Sequence, residues 1–347
     1  MKERKISRRI FIGVLSVGFG LLLGILPACG GNFTPKSVIN KLRILGIHAD
    51  RPEICPFGSA ACPEETYAEN VSVTLLAADE TGIVADGLFP GGPFLKDGYQ
   101  VEWGLCPYSD RIGLIDEPDC ARDANTRLDV YQPLLVISAA GILAELIKIY
   151  GGLLSGEDLS TFSSGVSQEI ASQFGEEYEN QLLGAAVISE NDRDWGIKRI
   201  RVSVAERNKI NLNPELTEIT IHGIPIVPTG ETVMAVTPAE SYRIGWKFPD
   251  SSWQEYLIKT AGGEIVRKEM LSLVVYATTG KFVDKDSNDD TEVALWMQDE
   301  KENEIYWKAP SEIPAEGGKA ILVFKLMDSR GGCDWKWTTI QLGGGGT

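Results

Sequence analysis

Histidine is almost missing from this 347-residue chain: His48 and His222 are the only two. Imidazole catalysis and histidine-rich metal sites therefore have little to work with. Positive charge is also short, with 33 Lys and Arg against 49 Asp and Glu for a formal −16. Five basic residues and one acid fall in the first 28 positions, which leaves −20 on the rest. A surface that acidic repels phosphate backbones and argues against a nucleic-acid partner. No GxSxG elbow, HExxH pair or GxxxxGK loop occurs, and no CxxC spacing suits zinc. The expectation is no catalytic residue, no cofactor and no metal. What remains is ordinary globular usage, 43% apolar and 24% charged, at a length that suits two domains or one elaborated domain.

The N-terminus carries the strongest signal. Lys2, Arg4, Lys5, Arg8 and Arg9 precede an apolar, glycine-interrupted run from Ile10 to Leu26. A basic flank, an apolar stretch and small residues before a cut indicate a removable signal peptide over 1–28. Leu26-Pro27-Ala28-Cys29 resembles the bacterial lipobox, in which the cysteine becomes the site of lipid attachment. Acyl chains at about 0.8 kcal/mol per buried methylene would hold Cys29, and the tether 29–37 behind it, on a membrane. Gly30 stands where an aspartate would signal inner-membrane retention, so the resemblance implies the outer membrane, facing the periplasm or the cell surface. Ser7-Arg8-Arg9-Ile10-Phe11-Ile12 resembles the twin-arginine export motif, although Gly13 stands where lysine is common. General secretion remains the alternative. Export by the twin-arginine route would require a core that forms without disulfides.

Six cysteines are present, Cys29, Cys55, Cys62, Cys106, Cys120 and Cys333. With Cys29 lipidated, five remain, and an exported chain can keep disulfides. The expected pairings are Cys55 with Cys62 and Cys106 with Cys120, leaving Cys333 as a buried free thiol.

Strand-like alternation dominates the mature chain. Val71, Val73 and Leu75 alternate with Ser72, Thr74 and Leu76, and Val101, Trp103 and Leu105 repeat the pattern. Ile200, Val202 and Val204 do the same between Arg199, Arg201 and Ser203. After Asn211-Leu212-Asn213-Pro214, it resumes at Ile219 and Ile221, Val233 and Ala235, Leu271 to Val275, Ile321 to Leu326 and Trp335 to Thr339. Turn clusters such as Pro90-Gly91-Gly92-Pro93 punctuate the runs. The stretch 133–183 breaks the pattern. Its apolar run from Leu134 to Leu154 carries polar residues on one stripe, and Phe162, Val166, Ile170, Phe174 and Tyr178 recur every four. The expected fold is mainly β: two β-sandwich domains over 38–210 and 216–342, joined by a linker at 211–215. A helical insertion over 133–183 sits in the first, and 343–347 forms a flexible glycine tail.

Leu42-Arg43-Ile44-Leu45-Gly46-Ile47, Arg51-Pro52-Glu53, Val71 to Leu75 and Trp103-Gly104-Leu105-Cys106-Pro107 form an ordered series. Asn213-Pro214-Glu215-Leu216, Tyr276 to Phe282, Trp307-Lys308-Ala309-Pro310 and Asp328-Ser329-Arg330-Gly331-Gly332 continue it. Together they resemble a family of uncharacterised immunoglobulin-like lipoproteins from Gram-negative bacteria. The resemblance implies an immunoglobulin-like fold for both domains and a membrane anchor, and it brings no activity. Cys333 departs from the aliphatic residue that the resemblance implies there, which fits a buried thiol.

Three further features invite a functional reading. Asp284, Asp286, Asn288 and Asp290 are spaced like oxygen ligands for calcium, but Asp289 and Leu295 stand where an EF-hand needs glycine and glutamate, so a solvated loop is expected. Trp246, Trp253, Trp296, Trp307, Trp335 and Trp337 cluster late in the chain. An exposed row of them would bind polysaccharide or peptidoglycan, whereas Trp335 and Trp337 on strands would pack a sandwich core. Paired carboxylates could support an envelope hydrolase, yet nothing marks out a pair. The expected role is therefore non-catalytic: binding, adhesion or scaffolding in the envelope. The membrane would be met through the lipid, and an unidentified envelope protein or polysaccharide would be the partner.

Overall fold

The computed structural model describes residues 37–54, 69–106, 127–139, 141–142, 178–203, 211–260, 263–285, 289–297, 300–301, 304–313 and 318–343. These residues are mainly β. In the first half the strands are β1 (Arg43–Ala49), β2 (Glu53–Ile54), β3 (Asn70–Asp79), β4 (Gly82–Asp86) and β5 (Phe94–Leu95). They continue with β6 (Gln100–Cys106), β7 (Arg127–Leu128), β8 (Leu134–Ser138), β9 (Tyr178–Ile188) and β10 (Arg193–Ser203). In the second half come β11 (Glu218–Ile221), β12 (Ile224–Pro225), β13 (Glu231–Thr232), β14 (Ser241–Lys247), β15 (Glu255–Thr260) and β16 (Gly263–Lys268). The last are β17 (Leu271–Ala277), β18 (Lys281–Asp284), β19 (Val293–Met297), β20 (Glu300–Lys301), β21 (Ile305–Lys308), β22 (Gly318–Asp328) and β23 (Cys333–Leu342).

Four larger sheets result. Sheet I runs β1-β3-β4-β5 with β8 also on β3, and sheet II runs β2-β10-β9-β6-β7. Sheet III runs β13-β23-β22-β17-β19-β20, and sheet IV runs β12-β11-β14-β21-β18, while β15 and β16 form a separate hairpin. Each half closes in the same way: a two-residue strand pairs in parallel with the last long strand, β2 with β10 and β13 with β23. Between sheets I and II lies a core holding Val71, Val73, Leu75, Val101, Trp103 and Ile200. Between sheets III and IV lies a second, around Ile219, Leu273, Phe282, Trp307 and Phe324. The alternation picked out the inward residues in each, because a strand with one buried face repeats every two positions.

A third apolar layer lies between the two halves. Leu45, Leu76, Ala78 and Ile83 from sheet I meet Val274, Tyr276, Val323, Cys333, Trp335 and Trp337 from sheet III. The outer faces of those two sheets are therefore buried against each other, and the order through the molecule is II, I, III, IV. Lys36–Thr347 accordingly cluster as a single compact unit. This layer corrects two expectations. β3 is buried on both faces, with Thr74 and Leu76 as enclosed as Leu75. Trp335 and Trp337 pack between the sandwiches and not in the second core.

The expected helical stretch is also corrected at its ends. Leu134–Ser138 is strand β8, paired to β3 from Thr74 to Asn70, and Tyr178 to Leu183 belong to β9. A short continuous apolar run suits a buried strand as well as a helix, and pairing with β3 decides it. Ala139, Gly141 and Ile142 have helical backbone, with the Gly141 amide donating to Ser138 Oγ at 2.9 Å. Positions 143–177 lie outside the described residues. Val233 and Ala235 are missed as well: both are exposed in the irregular backbone after β13, Val233 at 84%.

Candidate functional site

The seam between the halves is where the chain concentrates buried polar chemistry. It begins with a bulge. β1 pairs with β3 at Ile44↔Ala77 and again at Gly46↔Leu76, so Leu45 has no partner in the ladder. A bulge leaves its extra residue unpaired and turns it aside. The Leu45 side chain enters the third apolar layer, and its carbonyl accepts a hydrogen bond from Lys325 Nζ at 2.6 Å. Gly46 makes the approach possible. A Cβ there would lie 3.1 Å from Trp335 Cε3 and 3.3 Å from Lys325 Cδ.

A second lysine crosses the other way. Lys198, only 5% exposed on β10, donates from Nζ to the Gly331 carbonyl at 2.5 Å in the turn between β22 and β23. That turn is built by Asp328, whose carboxylate accepts from the Arg330 amide at 2.7 Å and the Gly332 amide at 2.8 Å. Gly331 takes a φ of +98°, a conformation that glycine adopts without a Cβ penalty. The same turn sends Arg330 back into the seam. Its Nε donates to Glu269 Oε1 at 2.5 Å, its other end to Gln254 Oε1 at 2.6 Å, and Glu53 Oε2 lies 3.9 Å from it. Glu53, Glu269 and Arg330 are all buried.

Around these groups, burial is the largest influence on titration. Burial pulls the Lys325 ammonium down from its ordinary value, and it pushes the Cys333 thiol up even with Lys198 and Lys325 nearby. Burial, followed by the Lys198 charge, lowers His48 from 6.5 to about 4, so its imidazole is neutral. His48 sits edge-on to Trp335, with ring centroids 5.9 Å apart. The opposite end of the seam holds Asp86, whose carboxylate accepts from Trp337 Nε1 at 2.9 Å and Trp335 Nε1 at 3.4 Å. Burial raises Asp86 despite both bonds.

A cleft of about 420 Å³ opens along this seam. Residues 44–47 of β1 and 196–199 of β10 form one wall, and Lys325, Met327, Gly331 and Cys333 form the other. Gly196 keeps the cleft open, since a Cβ there would lie 3.2 Å from Ile47 Cδ1. Sequence reasoning missed this site. Its signal was present: Lys198 holds an inward position with Ile200, and Lys325 shares a face with Val323 and Ile321.

The residues singled out from the sequence fall as follows. Cys333 is free and buried, with Sγ 3.4 Å from the Ile47 carbonyl. Cys106 is disulfide-bonded. Cys29, Cys55, Cys62 and Cys120 lie outside the described residues, as do Asp286 and Asn288. Asp290 accepts from Ser37 Oγ, and Asp284 pairs through its amide with the Asp289 carbonyl at 3.2 Å. Among the described residues no group of three His, Cys, Asp or Glu side chains could hold a metal. Trp307, Trp335 and Trp337 are buried, and Trp246 and Trp253 are half-buried, so these five make no exposed row; the side chain of Trp296 is outside the described residues. Among the described residues no helix is long and apolar enough to cross a membrane.

No family model matches the chain, and no curated protein matches it. Among solved structures, surface layer protein SbsC (domains 4–9) is 9% identical at a TM-score of 0.18, over 87% of this chain and 31% of that one. Dimeric latent PorU from Porphyromonas gingivalis is 10% identical at a TM-score of 0.18, over 89% of this chain and 24% of that one. The chain thus spans less than a third of either, and at this TM-score neither says anything about its chemistry.

Proposed function

We propose that this chain is a lipid-anchored protein of the bacterial cell envelope with a non-catalytic role in binding, adhesion or scaffolding. Two immunoglobulin-like sandwiches form its body, the helical insertion lies between β8 and β9, and an acylated Cys29 holds it on the outer membrane. The observation that carries this reading is Leu26-Pro27-Ala28-Cys29 directly after a basic, apolar leader. The layered body supports it. The two halves close alike, and the buried sheet faces between them make a rigid spacer that could present loops away from a membrane. The disulfides Cys55–Cys62 and Cys106–Cys120 belong to the same proposal.

Growth with an alkyne-tagged palmitate tests the anchor. The wild-type chain should take up the label, and Cys29→Ser should abolish it. Equal labelling of both, or of neither, would overturn the anchor.

A further inference from the structure

Charged side chains are rarely enclosed unless paired, because desolvation costs more than a single neutral contact returns. Lys198 breaks that rule outright, and Lys325 beside it is half-buried. Each holds one backbone carbonyl across the seam, and among the described residues neither has a carboxylate within salt-bridge range. Lys325 also lies 6.0 Å from the centre of the Tyr276 ring, and Glu292 acts on it only through space. Two ammoniums with about four unused N–H donors between them therefore border a cleft of about 420 Å³. Arg199 stands exposed on the same wall. On a chain of net charge −16, this is a local concentration of cations with no acid among the residues that line it.

The rest of the lining is apolar or bare backbone. Ile44, Ile47, Ile197 and Met327 supply carbon surface, and Gly46 and Gly196 leave room beside it. Pockets with an apolar body and a few convergent charges hold small organic ligands. A free phosphate would find carbon where it needs further donors, whereas an alkyl or aryl group would bury against the isoleucines.

We propose that the seam cleft is a binding site for a small organic carboxylate, its oxyanion between Lys198 and Lys325 and its apolar body against Ile44, Ile47, Ile197 and Met327. The bound carboxylate supplies the counter-charge that the fold withholds from both lysines. This gives the binding role a ligand class, and it rests on the folded body and not on the lipid anchor.

Titration calorimetry on the purified full chain tests it with hexanoate, hexanamide and inorganic phosphate. Saturable binding of hexanoate is expected, with hexanamide and phosphate at least about tenfold weaker. Lys325→Met and Lys198→Met should each weaken hexanoate by about tenfold or more. A second measurement needs no variant: amide shifts of the isotope-labelled wild-type chain should move at Gly46, Gly196 and Gly331 on hexanoate addition. Absence of hexanoate binding, equal binding of hexanamide, preference for phosphate, or shifts confined to other regions would each overturn the proposal. A chain that binds hexanoate but takes no palmitate label would keep the cleft and remove the anchor.

Discussion

Lys198 and Lys325 cross the seam in opposite directions, each sandwich handing one ammonium to a carbonyl of the other: Gly331 for Lys198, Leu45 for Lys325. The exchange ties a strand bulge in the first half to a glycine turn in the second. Both carbonyls are available because neither residue sits in a regular ladder. The halves are thus joined by polar contacts at one edge of an apolar layer, and the cleft opens where those contacts leave a gap.

Arg330 should be the most costly side chain to remove at this seam. Arg330→Ala would remove the cation that Glu269 bonds at 2.5 Å and that Glu53 faces at 3.9 Å. Breaking such a group typically costs about 3–5 kcal/mol. Urea denaturation should show that loss, and a change below about 1 kcal/mol would contradict the role given to the turn.

Gly46→Ala should destabilise by about 1–3 kcal/mol, because the new methyl meets the Trp335 ring and the Lys325 stem. The same substitution at Gly91, where a Cβ would meet nothing within 4 Å, carries only backbone strain and separates packing from flexibility. Thermal melts of the two variants provide the check.

His48 gives the protein a defined acid sensitivity. Its folded value, about 4, lies below the ordinary 6.5, so the unfolded chain binds the proton more readily between those limits. The stabilisation is fully present above 6.5 and fades as pH falls toward 4, by about 1–3 kcal/mol on the usual conversion. Asp86, Glu269 and Asp334 are raised by burial and act with the opposite sign, gaining stability as pH falls. Urea midpoints of wild type and His48→Gln across that window isolate the histidine: the variant should lose less on acidification.

Cys333 should resist alkylation in the native state. The residue is 4% exposed and burial raises its thiol, so little thiolate forms. Iodoacetamide should label it only once denaturant opens the seam, read by mass spectrometry of the peptide carrying it. Rapid native labelling would contradict the burial.

Much of the β character was legible because the inward residues of β3, β6 and β10 follow a period of two. The third apolar layer was not. Leu76 looks, in isolation, like the outward side of a strand, and Trp335 like part of a sandwich core; only contact between sheets I and III puts both in this layer. The apolar run at Leu134 failed for a related reason: periodicity cannot separate a short buried strand from a helix, and its pairing with β3 is long-range information. The cleft was half visible. A lysine at an inward strand position, as at 198, breaks the local pattern, and such breaks mark functional or strained places. The Leu45 bulge that completes the site leaves no trace in the sequence, since it depends on register against β3.

The account depends most on the chemistry of residue 29. Trypsin acting on the mature protein should release the peptide from Cys29 to Lys36, whose mass reports directly on that cysteine. A peptide beginning at Cys29 and carrying diacylglycerol and a further acyl chain is the predicted result. An unmodified Cys29, or a chain cut elsewhere, would contradict it.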